Sequence, residues 1–138
     1  MRFTKPWIAP AGARDVDTKE PALAVFLQTA DGRTFREVFI VDSGADISMG
    51  PRRICDQLGL SWEAGALVEL KGIAQRDECN VPGSVHPVTI FVAEAAREIV
   101  IPFCFAEGPA PLLLGREGFF DAFRIQFDKQ RYLTAFEW

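Results

Sequence analysis

The sequence predicts a mostly β protein with two short helices. Short runs rich in β-branched and aromatic residues recur along the chain, Gly/Pro/Asp-containing segments separate them, and only two stretches carry helical spacing. The chain has 138 residues, 49% of them hydrophobic, with 12 Phe. That is enough for a single domain with a real core, and too aromatic for a disordered tail.

Residues 1–20 carry Pro6, Pro10 and a charged stretch without clear periodicity. They read as an N-terminal arm, flexible or irregularly wrapped, ahead of a domain over 21–138. From Pro21 the pattern changes. "LAVFLQT" and "TFREVFIV" flank the Asp31-Gly32 pair, a hairpin signal. In the second strand Val38, Ile40 and Asp42 share a face, because side chains alternate. That alternation predicts a buried row ending on a carboxylate, an expensive place for an unpaired charge.

"PRRICDQLGL" reads as a short helix: Pro51 suits the first turn, Ile54 and Leu58 are four apart, and Gly59 suits the exit. "ALVELKGIAQRDECNVPG" reads as a strand, a polar tip and a return strand. "HPVTIFVA" and "REIVIPFCF" read as a further hairpin. "PLLLGREGFFDAF" is a short apolar run leading into a second helix, with Phe119, Phe120 and Phe123 on one side. "FRIQFDKQRYLTAFEW" closes the chain as a hairpin. The reading totals about eight strands, with no internal repeat or linker.

Several function classes recede at once. The formal net charge is -4 and the densest basic pair is Arg52-Arg53, so nucleic acid is not an expected partner. No apolar run approaches the ~20 residues of a membrane span. The three cysteines, Cys55, Cys79 and Cys104, form no CxxC, so neither a zinc site nor a disulfide framework is expected. The opening stretch has no apolar h-region, and a cytoplasmic protein with reduced thiols is the simplest expectation. Cys55 and Cys104 read as core residues, and Trp62 as a packing residue. His86, the lone histidine, reads as a turn residue ahead of Pro87 rather than a base or ligand. Glu117 and Asp121 should face solvent.

The chemistry concentrates in "VDSGAD", Val41 to Asp46. An apolar strand running into Asp-Ser-Gly-Ala resembles the active-site signature of retropepsin-like aspartic proteases. The order of other features strengthens the resemblance. "KGIAQ" stands where that family has its flap, and "PLLLGREGFF" is similar to its second signature, apolar residues then Gly and Arg before a helix. The resemblance covers roughly Ala22 to Trp138 and points to the bacterial single-domain branch. It implies a closed-barrel-like acid-protease fold and hydrolysis of peptide bonds by a pair of aspartates. Asp42 would be the catalytic carboxylate, with Ser43 and Gly44 holding the site. Ala45, Asp46, Gly72, Ile73, Ala74 and Arg116 would contact substrate. The implied partners are a peptide or protein substrate and a second copy of the chain, with no metal and no cofactor.

The residue types fit that chemistry. Two carboxylates sharing one proton can activate water and polarise a carbonyl. Gly44 lets the backbone turn so that its N–H approaches the carboxylate, and the Ser43 hydroxyl can donate and accept. Only one Asp-Ser-Gly is present; "VDTKE" at Val16–Glu20 has Lys where Gly is needed. A homodimer, with Asp42 facing Asp42 across a two-fold axis, would supply the second carboxylate. The resemblance also implies that Arg116 pairs with Asp46, whether to hold structure or to contact substrate, and a guanidinium suits a carboxylate. The tip Gly72-Ile73-Ala74-Gln75 is more polar than the family's glycine-rich flap. That departure keeps a second reading in view: a retropepsin-fold peptide-binding or assembly module with little turnover.

Overall fold

The Asp31-Gly32 pair closes a hairpin between β2 (Ala22–Gln28) and β3 (Thr34–Val41) in the computed structural model, which describes residues 1–9, 18–70 and 81–138. Gly32 takes φ +87°, a left-handed conformation that glycine adopts without strain. Its N–H donates to Thr29 O at 3.0 Å, and Thr29 N–H donates to Arg33 O at 2.7 Å. The Asp31 carboxyl lies at about 2, held down by the Thr29 hydroxyl and then by Arg33.

The buried row of β3 is the opposite of the expected one. Phe39 and Val41 are buried, whereas Val38 is exposed and Ile40 only half-buried. The barrel interior takes the bulkier alternate row, starting from the ring of Phe39. Asp42 therefore ends the outer row and is half-buried, which lowers the cost of its charge.

β4 (Ser48–Pro51), β5 (Ala66–Leu70), β6 (Val81–Val92), β7 (Arg97–Ala106) and β8 (Leu113–Leu114) complete the main sheet, and α1 (Arg52–Gln57) follows β4. Its order is β2-β3-β8-β4-β7-β6-β5. β6 also pairs with β2, Phe26 opposite Phe91 and Leu27 opposite Ile90, which closes the sheet and leaves β5 as an attached edge. The mostly β, closed-barrel architecture with two short helices is thus present.

Two predicted strands, the flap return and "HPVTIFVA", are the single strand β6. Pro87 lies opposite Pro102 of β7, so the missing N–H groups fall on one rung. β4 has no strand propensity of its own. It is imposed by neighbours, pairing with β7 in parallel and touching β8 at Met49–Leu113. Pro51 caps α1 rather than entering its first turn, while Ile54 and Leu58 are buried and Gly59 exits at φ +75°. The second helix is shorter than the sequence suggests. Glu117 and Gly118 break the helical geometry of Arg116–Phe120, with Gly118 at φ +80°, and helix resumes at Phe119. Phe119 and Phe123 are buried and Phe120 half-buried.

A second, three-stranded sheet has the order β1-β10-β9, from β1 (Arg2–Pro6), β9 (Arg124–Asp128) and β10 (Leu133–Glu137). β1 was not legible as a strand because "RFTKP" holds a single apolar residue; its pairing with β10 makes it one. Aromatic packing joins this sheet to the barrel. Phe3 stacks on Phe136 at 4.6 Å, and Phe136 meets Phe119 and Phe123 edge-on. Such pairs add about 0.5–1.5 kcal/mol each beyond burial.

His86 is not in a turn. It sits within β6, 6% exposed, on the same buried face as Ser84. Ser84 Oγ donates to Trp62 O at 2.6 Å, so His86 Nε2, 2.9 Å away, is the donor to Ser84 Oγ. With its proton committed to a carbonyl, Ser84 is no nucleophile. The pair needs the space beside Gly65: a Cβ there would lie 2.2 Å from Ser84 Oγ and 2.4 Å from His86 Nε2. Burial pushes the His86 pKa below its ordinary 6.5. The unfolded state then binds the extra proton first, so stability is full above 6.5 and falls as pH drops from 6.5 toward the lower folded value. Urea unfolding from about pH 7.5 to about pH 5 should show a larger loss for wild type than for His86→Gln, which keeps the donor and does not titrate. Equal losses would remove His86 from the acid sensitivity.

Candidate active site

The Asp42 loop starts where a parallel ladder stops. β3 and β8 pair at Ile40–Leu113 and Val41–Leu114, and Asp42 N–H donates to Leu114 O at 2.9 Å. The chain then turns, with Ala45 N–H reaching back to Asp42 O at 3.3 Å. The turn aims the Gly44 N–H at the Asp42 carboxylate, Oδ1 at 2.8 Å. A Cβ on Gly44 would stand 3.2 Å from that same oxygen, so the close approach suits glycine. Ser43, Gly44 and Asp46 are exposed, and Ala45 is half-buried.

The segment after β8 fastens this loop through both backbone and side chain. Arg116 N–H donates to Ala45 O and Glu117 N–H to Asp46 O, both at 2.9 Å. The Arg116 guanidinium adds two contacts, Nη1 to Ser43 O at 2.9 Å and Nη2 to Asp46 Oδ1. The expected Asp46–Arg116 pair is therefore present. Its side chains are 84% and 51% exposed, so its worth lies in position more than in energy, about 0–1 kcal/mol.

Two further residues hold the site. Ser48 is fully buried, and its Oγ accepts the Gly115 N–H at 3.0 Å. Gly115 lies so close to the loop that a Cβ would come within 2.5 Å of Ile47 C and O. Gly115 was visible in the sequence as part of "LLLGR", but not its steric reason; Ser48 carried no signal at all.

The structure thus brings Asp42, Ser43, Gly44, Ala45, Asp46 and Arg116 into one constellation. Gly72, Ile73, Ala74 and Cys79 lie outside the described residues. Glu117 and Asp121 are exposed, the latter accepting Gly118 N–H at 2.9 Å. Cys55 and Cys104 are buried free thiols, and burial raises both pKa values. Trp62 packs half-buried, with the Arg52 guanidinium 4.5 Å above its ring.

Chemically, the loop offers one carboxylate held by a backbone donor and open to solvent, while the carboxylate of Asp46 is occupied by Arg116. The closed barrel and the segment after β8 together make the fold of the retropepsin-like aspartic proteases. A crystal structure of a retropepsin-like aspartic protease from Rickettsia conorii aligns over 98% of this chain and 98% of its own, with TM-score 0.66 and 13% identity. EIAV protease complexed with the inhibitor HBY-793 aligns over 75% of this chain and 88% of its own, with TM-score 0.49 and 21% identity. No protein-family model matches the chain, and no curated protein matches it. Among the described residues no helix is long and apolar enough to cross a membrane.

Proposed function

We propose that the chain is an aspartic endopeptidase that works as a homodimer, each copy supplying one Asp42 carboxylate. The observation that carries this reading is the strand-end Asp42, fixed by the Gly44 N–H and left open to solvent in a loop fastened by the segment after β8. One chain brings one such carboxylate, and the chemistry needs two. Across a two-fold axis the like charges cannot both ionise, so the pair shares a proton, as in aspartic proteases generally. The ionised member takes a proton from water, and the protonated member polarises the scissile carbonyl. The substrate is a peptide in extended form, bound by strand-like backbone hydrogen bonds. Partly buried Ile47 and Leu113, next to the loop, favour apolar side chains near the cut.

The test is to incubate the protein with a diverse peptide pool at a series of pH values from acid to neutral, and to read new termini by mass spectrometry. Cuts flanked by apolar residues are expected. Charged residues at the cut would overturn the specificity. Binding without cutting at any pH would make the chain a peptide-binding module instead.

A further inference from the structure

One rung of the main sheet crosses four strands with its side chains on the outer face. It runs from Arg36 of β3 to Phe26 of β2, Phe91 of β6 and Glu98 of β7, each opposite the next. The rung on one side of it holds Thr34, Gln28, Thr89 and Val100, with Thr34 opposite Gln28 and Thr89 opposite Val100. On the other side Val38 stands opposite Ala24. Val38 is 37% exposed, Phe91 39% and Val100 63%. Apolar side chains gathered in this way on one face mark an interaction surface. The Phe26 and Phe91 rings lie 6.5 Å apart, and with Glu98 they line a groove of about 390 Å³. Arg36 and Glu98 are exposed, and neither side chain has an ion pair or hydrogen bond among the described residues.

We propose that this face docks a second copy of the chain, sheet against sheet, about a two-fold axis that runs along the strands between Phe26 and Phe91. The charge order of the rung carries the choice of occupant. It reads base, ring, ring, acid. Rotation about that axis reverses the rung, so Arg36 of each copy meets Glu98 of the other, and Phe26 meets Phe91. An axis across the strands would instead set Arg36 against Arg36 and Glu98 against Glu98. In the neighbouring rung Thr34 faces Val100 and Gln28 faces Thr89, so no further charge is enclosed there. A guanidinium brought to Glu98 also reaches the exposed Phe91 ring, which adds a cation–π attraction. A partner of other sequence would need a base and an acid at the spacing that this chain already carries. Aligned packing of two such faces, about 10 Å apart, is an ordinary arrangement for sheets. None of β1, β9 and β10 contributes to it. Arg36 stands six residues before Asp42 on the same strand, about 20 Å along it at roughly 3.3 Å per residue. The contact therefore lies away from the Asp42 loop and takes nothing from the functional reading. It doubles whatever assembly other surfaces set.

The test is charge reversal read by sedimentation over a concentration series. Arg36→Glu leaves acid facing acid at both ends of the rung, and Glu98→Arg leaves base facing base. Wild type should reach twice the mass of the assembly that either variant forms. Each variant alone should make that doubling step about tenfold more weakly or worse, because opposed like charges repel. A one-to-one mixture of the two variants restores both charge pairs and should regain near wild-type affinity, a rescue that a folding defect cannot give. A wild type that never exceeds the mass of the variants would overturn the proposal and leave the face to a partner of different sequence. Doubling that persists undiminished in both variants would put the association on another surface. A mixture that does not regain it would refute the pairing of Arg36 with Glu98.

Discussion

Asp42→Asn is expected to lower peptide cleavage by about three orders of magnitude or more while leaving the fold in place. The amide is nearly isosteric, and its oxygen can still accept the Gly44 N–H that the carboxylate now accepts at 2.8 Å. What it loses is the ability to take a proton from water. In a homodimer both halves of the pair are lost at once, so no second carboxylate remains to compensate. Thermal melts should superimpose within a few degrees, and mass spectrometry of a peptide pool should show the wild-type cuts gone. Cuts that persist at the wild-type rate in the variant would remove Asp42 from the chemistry, whatever the fold resembles.

Among the described glycines, Gly115→Ala sets its added methyl nearest to main-chain atoms and should be strongly destabilising. Glycine is needed there for space, since its φ of -96° suits any residue. The added carbon would sit 2.5 Å from Ile47 C and O and 2.9 Å from Ala45 O. These are backbone atoms, so no rotamer change can relieve the clash. Overpacking of this kind costs about 1–3 kcal/mol, and the upper end applies where the neighbours cannot yield. Separation of the two segments would also stretch the bonds from Arg116 N and Glu117 N. Urea unfolding should show that loss, with cleavage falling further than stability alone explains. Gly108→Ala is the control. That glycine has φ +76° and open space around it, so its cost is conformational only. A Gly115→Ala protein as stable as this control would show that the loop can retreat.

Much of this molecule was legible in its sequence where local signals agree with the tertiary result. The Asp31-Gly32 hairpin, the Ile54–Leu58 helix and the Asp42 turn all carry their own turn or capping chemistry. Other elements were not legible because neighbours impose them. β4, "SMGP", becomes a strand only between β7 and β8. β1 needs β10 to pair with. The face of β3 was misread because alternation reveals two rows without saying which the barrel takes, and Phe39 and Val41 outweigh Val38 and Ile40. His86 beside Pro87 resembled a turn, yet β6 absorbs both because Pro87 meets Pro102. In the site, the Asp-Ser-Gly motif was readable, while Ser48 was silent.

The fastening of the Asp42 loop has a consequence for how such a chain can change over generations. Three of the ties are main-chain N–H groups meeting main-chain oxygens, at Ala45, Asp46 and Leu114. Every amino acid except proline supplies that donor and every one supplies that acceptor. The loop's shape is therefore encoded by few letters: an acid, an arginine, two glycines and a hydroxyl. Where a tie is main-chain on both sides, the side chain there can change so long as its volume and polarity suit the barrel. Kinship among such chains fades from the alphabet long before it fades from the geometry.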